Sequence, residues 1–343
     1  VACGYADGND TARLADDAVH KLLLDRDPLA GPALASQPTL SRFENAVGPL
    51  ALARLGHALA DLVIGQHCAR LQGRARRITL DVDPTDDPTH GQQEFAFFNG
   101  HYDSWCYLPL LGFVTFDDEA EQSLLFALLR PGTSPAKQGL RGRLRTLFRK
   151  LRAAFPGARL RVRLDGGFAG ADVLSFLEAQ GVEDVVALAA NRRLDKRARR
   201  LMGRARMLSK ATGATAHLFG ETRYAAKKWK RKRRVIIKAE VGRHPGREPK
   251  NNPRFVVTNL PHTPAHVYAI YRARGDVENR IKELKDSVGR GSLELLALSR
   301  QSIPAPAHHR GVHLVPGSPA GRPGHGVGHG PAHDPARAAA EAS

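Results

Sequence analysis

The sequence predicts a mixed α/β protein built on one sheet, with its first three strands antiparallel and parallel strands added later. Three observations carry this. A Leu- and Ala-rich helical opening gives way near residue 77 to short β-branched and aromatic runs. Helix and strand patterns then alternate, the signature of parallel additions to a sheet. Two of the strands end on carboxylates, at Asp83 and Asp165.

Residues 10–64 place Leu50, Leu52, Leu55, Leu59 and Leu62 at helical spacing, interrupted by Pro28, Pro32, Pro38 and Pro49. Within them, Gln37 to Phe43 reads as a helix start with a Ser or Thr cap. Arg77-Ile78-Thr79-Leu80-Asp81-Val82-Asp83 alternates as a strand, and Glu94–Phe98 and Tyr107–Phe116 are the next two, forming a three-stranded meander. A basic helix is expected over 138–154, a strand over 159–164 ending at Asp165, a helix over 170–180 and a strand over 184–189. Strand-like pieces follow at 215–225, 233–241 and 254–260, then one helix from Pro264 to Asp286.

The chain of 343 residues is about two domain-lengths. Its apolar runs fall short of the ~20 residues a membrane helix needs. It opens on Val1 with no charged leader and apolar core of a secretory signal, and the absent initiator Met suggests a chain that starts mid-protein. Cys3, Cys68 and Cys106 are far apart and in no Cys-x-x-Cys spacing, which argues against zinc or a disulfide frame and for a reducing, cytoplasmic setting.

Charge is more informative. The net charge is +18, and Arg192 to Lys250 carries 21 Lys and Arg against 4 Asp and Glu, a local balance of +17. A solvated face usually interleaves both signs; this one does not, which points to nucleic acid. Beyond residue 287 Gly, Pro, His and Ala dominate, and such a segment cannot bury enough apolar surface to order itself. His325, His329 and His333 recur every four residues, but Pro331 and Pro335 break any helix that would align them as ligands.

On the expected helix 264–286, Tyr271, Arg274, Glu278 and Lys285 fall within roughly 60° of arc. An aromatic hydroxyl, two cations and a carboxylate suit neither a buried face nor an ordinary wet one. An exposed ion-pair ladder through Glu278, Lys282 and Lys285 is the competing account.

The interval Tyr-x2-Arg-x3-Glu-x6-Lys resembles the YREK signature of the IS-four-like bacterial transposases. The text Arg274 to Lys285 is similar to the insertion-sequence family numbered thirteen-eighty. So are Ala2-Cys3-Gly4-Tyr5, Asp81 to Asp86, Phe98-Asn99-Gly100-His101-Tyr102-Asp103 and Arg163 to Phe168. The resemblance runs from residue 1 to about 286. It implies an RNase H-like fold and a DDE triad that binds two Mg²⁺ ions, with Mn²⁺ able to substitute. On the motif, Asp83 is the first acid, with Asp81 as the alternative, since both share a strand face. Asp165, followed by Phe168, is the second and Glu278 the third.

The resemblance further implies that Tyr271, Arg274 and Lys285 grip DNA phosphates. It makes 192–260 a basic β-rich insertion projecting from the sheet. There Lys227, Lys228, Lys230, Arg231, Lys232, Arg233 and Arg234 surround Trp229, which would stack a flipped base or else anchor a small sheet. The expected organisation is thus an N-terminal helical region, 1–70; a catalytic core, 71–191; the insertion, 192–260; the catalytic helix, 261–286; and a disordered tail, 287–343. The tail reads as a frameshift of a sequence that once encoded a helix, which implies a weakened or inactive copy. The activity implied is DNA cleavage and strand transfer on double-stranded DNA by a homodimer in the nucleoid. A relic that only binds DNA and a nuclease of the same fold are the rival readings; the YREK spacing favours the transposase over the nuclease.

Overall fold

Residues 10–89 and 93–288 are described by the structure, a computed structural model; the expectations for Cys3 and for the tail lie outside the described residues. Four helices come first: α1 (Thr11–Leu14), α2 (Ala18–Leu23), α3 (Gln37–Ala46) and α4 (Pro49–Leu71). Pro sits in the first turn of α3 and α4, where its missing N–H costs nothing. Helix α4 buries Ala60, Val63 and Ile64 against the core.

The centre is a nine-stranded mixed sheet. Its first part contains β1 (Arg77–Pro84), β5 (Leu110–Phe116) and β6 (Ser123–Leu128), with β5 antiparallel to both neighbours, while β7 (Arg159–Leu164) and β8 (Glu183–Leu188) join β1 in parallel. Helices α5 (Leu140–Ala154) and α6 (Ala171–Ala179) make the crossovers. The expected antiparallel start and parallel additions are present, and the fold is the RNase H-like one.

The membership of the meander differs from expectation. The run at 94–98 contributes β3 (Phe97–Asn99), which pairs with β4 (Ser104–Tyr107) and not with the main sheet. With β2 (Asp87–Pro88) they form a separate three-stranded sheet of order β2-β4-β3. Pro109 lacks the N–H a continuous ladder needs, so the expected strand 107–116 is split into β4 and β5. The third antiparallel strand of the main sheet is β6, which the sequence reading passed over. Its partner β5 is buried along its whole length, and Gly112 is required there: a Cβ would stand 2.0 Å from the Phe126 ring.

The basic segment also differs. It opens with a 21-residue helix, α7 (Arg192–Thr212), whose buried Leu194, Ala198, Met202, Ala205 and Ser209 are too small and sparse to stand out among its cations. Then β9 (Ala216–Tyr224), β10 (Arg233–Gly242), β11 (Lys250–Asn251) and β12 (Arg254–Thr258) follow, close to the strand-like pieces expected. They do not project as a separate sheet. Strand β12 pairs with β8 and β10 with β12, so the order runs β11-β10-β12-β8-β7-β1-β5-β6, with β9 on β10. The apolar faces of β8 and β12 zip together because each presents Val residues on both sides, which only a central strand can bury.

Strand alternation divides the sheet into two unlike faces. Ile78, Leu80, Val82, Leu160, Val162 and Leu164 point to the main core beneath α4 to α7. The intervening Asp81, Asp83, Arg161 and Arg163 face the other side, which is covered by α8 (Pro264–Arg272) and α9 (Gly275–Val288). A single helix was expected over 264–286. It is interrupted at Ala273–Arg274, just before Gly275, a poor helix former, and Arg274 turns inward there. The two pieces cover different apolar patches: Val267 and Tyr268 pack on Val185, Ile236 and Val256, while Val277 and Ile281 pack on Leu111 and Phe113.

Candidate active site

The site stands where β1 and β7 end beneath the α8–α9 junction. The parallel register pairs Val82 with Leu164. One residue beyond that pair along the chain stand Asp83 and Asp165, near enough for the charge of Asp165 to act on the Asp83 carboxyl.

Asp83 is largely buried, and Arg274 Nη2 lies 2.6 Å from its Oδ1. Burial pushes its carboxyl up to about 7; Arg274 opposes the rise, and the negative charges of Asp165 and Glu278 add to it. Asp83 therefore lies in the electrostatic field of the other two acids. Asp165 caps the 3-10 turn Gly166–Phe168, its Oδ1 accepting from Gly167 N at 2.9 Å, and buried Phe168 fastens that turn to the core. Glu278 is on the exposed side of α9, 3.8 Å from Arg274 Nη1.

Asp81 has a different situation. It is fully buried and accepts from Arg163 Nε at 2.7 Å, Arg163 Nη2 at 2.5 Å and Gln122 Nε2 at 3.1 Å. Burial raises its carboxyl, against the pull of Arg163. Arg163 Nη1 also donates to the Ile270 carbonyl, so this pair joins β1, β7 and α8. Both oxygens of Asp81 are occupied by protein, whereas among the described residues no hydrogen bond reaches Asp165 Oδ2.

The helix-face residues were expected to share one surface. Instead Tyr271 is on α8, half-buried with its ring 5.9 Å from Tyr268, and burial raises its phenol. Arg274 is at the junction, buried, and turned to Asp83. Lys285 Nζ is 2.8 Å from Asp86 Oδ1, which ties the end of α9 to the segment after β1. Arg274 and Lys285 thus each hold a carboxylate of the chain itself. Tyr102, in the turn before β4, belongs to the Phe98–Asp103 stretch that carried part of the resemblance, with no role expected of it there; its phenol is pushed up to about 12 by burial, with Asp86, Asp83 and Asp165 contributing.

The basic loop divides in two. Lys227, Lys228, Lys230, Arg231 and Lys232 are exposed. Arg233 is buried, bonded to Glu178 and Ser175, and Arg234 is bound to Glu221 and to the Leu260 and His262 carbonyls. Trp229 is only 8% exposed; its edge meets Tyr224 at 5.7 Å and Arg233 lies over its ring at 5.0 Å. The expectation of a base-stacking Trp229 is corrected here: the ring is enclosed and anchors the loop to the core.

The donor chemistry of Asp83, Asp165 and Glu278 fits a hard divalent cation, since all three offer carboxylate oxygens and burial disfavours the charge on Asp83 even beside Arg274. Among the described residues, however, no three acidic, His or Cys side chains stand close enough to share one ion. The tight convergence expected from the sequence is not there, because Arg274 occupies the space between Asp83 and Glu278.

A mixed sheet with acids at the ends of two adjacent parallel strands and a third on a covering helix defines an RNase H-like protein of nucleic-acid chemistry. Residues 1–296 match the family model for transposase DDE domain group 1, and the chain belongs to that family. No curated protein matches the chain. Among the described residues no helix is long and apolar enough to cross a membrane.

Proposed function

We propose that the chain is a transposase of the insertion-sequence family numbered thirteen-eighty, of the IS-four-like group, acting on double-stranded DNA as a homodimer. Asp83, Asp165 and Glu278 are its acid triad in metal-dependent cleavage and strand transfer. The observation that supports this best is the placement of Asp83 and Asp165 side by side, with Asp83 penalised by both of the other acids. The same observation favours Asp83 over Asp81, whose oxygens are already taken by Arg163 and Gln122.

Asp83, Asp165 and Glu278 would hold Mg²⁺, or Mn²⁺ in its place. The chemistry such a pair of ions supplies when bound is activation of the attacking oxygen and charge relief at the leaving one. In the protein itself, Arg274 is a positioning residue. It balances Asp83 and orients its carboxyl towards Asp165. Lys285 secures α9, and thereby Glu278, over the strand ends through Asp86. Exposed Lys227, Lys228, Lys230, Arg231 and Lys232 attract the DNA backbone.

The test is a cleavage assay on DNA bearing the flanking ends of the element. Glu278→Gln and Asp165→Asn should each abolish Mg²⁺-dependent cleavage while binding the same DNA as the parent chain does. Cleavage surviving in both variants would refute the triad.

A further inference from the structure

A cavity of about 370 Å³ opens between α4, the end of β6 and the first turns of α5. Leu128, Leu129 and Pro131 give it apolar walls, and Gln138 and Thr146 add neutral polar groups. Arg130, Arg143 and His57 also line it, and no Asp or Glu does. Its volume is that of a site for a small molecule.

Neither guanidinium has a counter-ion among the described residues. Arg130 is 2% exposed. Its Nε donates to the Leu108 carbonyl at 2.9 Å, and its Nη1 to the carbonyls of Pro135, Ala136 and Gln138. All four acceptors are neutral, and the buried Nη2 has no partner among the described residues. Burial pushes the group down to about 10. Arg143 is half-buried against α4: a Cβ on Gly56 would stand 3.7 Å from its Nη1 and 3.8 Å from its Nη2. Burial lowers this guanidinium too, and among the described residues its side chain has neither hydrogen bond nor ion pair. His57 is held below its ordinary value by burial and then by the charges of Arg143 and Lys150, with Asp61 opposing.

A buried charge without an opposite one is costly, and here two such cations meet at one cavity. A metal ion is repelled there, whereas an anion relieves both. The walls choose among anions. A phosphodiester would set a hydrated sugar edge against Leu128, Leu129 and Pro131. A carboxylate on an apolar body puts its charge on the arginines, whose planar fork matches its two oxygens, and its body on the walls.

We propose that this cavity binds a small organic carboxylate, whose oxygens take Arg143 and Nη2 of Arg130 while its apolar body lies on Leu128, Leu129 and Pro131. The proposal is independent of the acid triad and of DNA processing.

The experiment titrates the full chain calorimetrically with benzoate, with its neutral counterpart benzamide, and with acetate, which keeps the charge without the body. Benzoate should bind, acetate more weakly and benzamide not at all. Arg143→Met keeps an apolar stem and should weaken benzoate by roughly ten- to a hundredfold, the worth of a hydrogen bond to a charged group. Its melting temperature without benzoate should be no lower than the parent's, because Arg143 gives up no partner. In the parent chain the ring resonances of His57 should move as benzoate is added, which decides the matter should the variant fail to fold. No benzoate binding, equal binding of benzamide, an unmoved His57 or an Arg143→Met affinity equal to the parent's would each overturn the site. Equal affinity for acetate would overturn the role of the apolar walls. Displacement of benzoate by a 30-base-pair duplex would make the cavity part of a DNA surface and overturn the carboxylate assignment.

Discussion

Asp83 and Arg274 are bound to each other across 2.6 Å, one at the end of a central strand and the other at the break between two helices. The pair ties the α8–α9 junction to the end of β1. It also predicts a pH-dependent cost for losing Arg274. The folded value of Asp83 is about 7, above its ordinary value of 3.8, so its ionised form is disfavoured in the folded state and stability falls as pH rises between these values. Removing Arg274 raises that value further, and the loss is felt only where Asp83 is ionised. Arg274→Gln should therefore lower the melting temperature more at pH 8 than at pH 5. An equal drop at both would show that the pair carries no charge coupling.

Asp81 and Asp83, two residues apart on one face, should separate cleanly by experiment. Asp81→Ala leaves Arg163 buried without its carboxylate and should cost roughly 3–5 kcal/mol of stability, by analogy with other broken buried pairs. Asp83→Asn keeps a hydrogen-bond acceptor for Arg274 and should fold well but cut no DNA. Urea denaturation beside a cleavage assay distinguishes them, and a stable, active Asp81→Ala would reverse the assignment.

Asp184, at the start of β8, is buried with its carboxyl pushed up to about 7 by desolvation, Glu178 adding to the effect and Arg233 and Arg231 opposing it. The sign is the same as for Asp83: the proton is held more tightly in the folded state, so the ionised group destabilises above about pH 7 and its penalty vanishes below 3.8. Asp184→Asn should raise stability at pH 8 by an amount on the order of a few kcal/mol and leave it nearly unchanged at pH 4. Thermal melts at the two pH values check this.

Gly112 and Phe126 are cross-strand partners beside a bulge between β5 and β6. Gly112→Ala forces a methyl group into the ring and should destabilise by about 1–3 kcal/mol, typical of overpacking. The second change Phe126→Leu, which removes ring atoms from that contact, should recover part of the loss. A double variant worse than the sum of the two single ones would mean that the ring is not the obstacle.

Much was legible in the sequence because it depended on local pattern. The alternation of Arg77 to Asp83 and of Arg159 to Leu164 defined two strands and put an acid at the end of each. The intervals from Tyr271 to Lys285, and the motifs around them, carried the resemblance to a transposase group. The uncompensated cations of 192–250 pointed to nucleic acid. Each of these depends on neighbours a few residues apart.

Only the tertiary structure decided what those side chains face. Whether Asp81 or Asp83 is free depends on Arg163, 82 residues away from Asp81, which reaches it only because β1 and β7 pair in parallel. Trp229 looked like a stacking surface among cations, yet Tyr224 and Arg233 enclose it once β9 and β10 form a hairpin. The basic segment read as a projecting subdomain, yet β12 continues the sheet through β8, because two-sided apolar strands gain most when both faces and both edges are covered. Pattern along the chain sets which residues can form a strand or a helix face. Which charges meet, and which surfaces stay open to a partner, is set by long-range pairing, whose energy comes from burial that no local window contains.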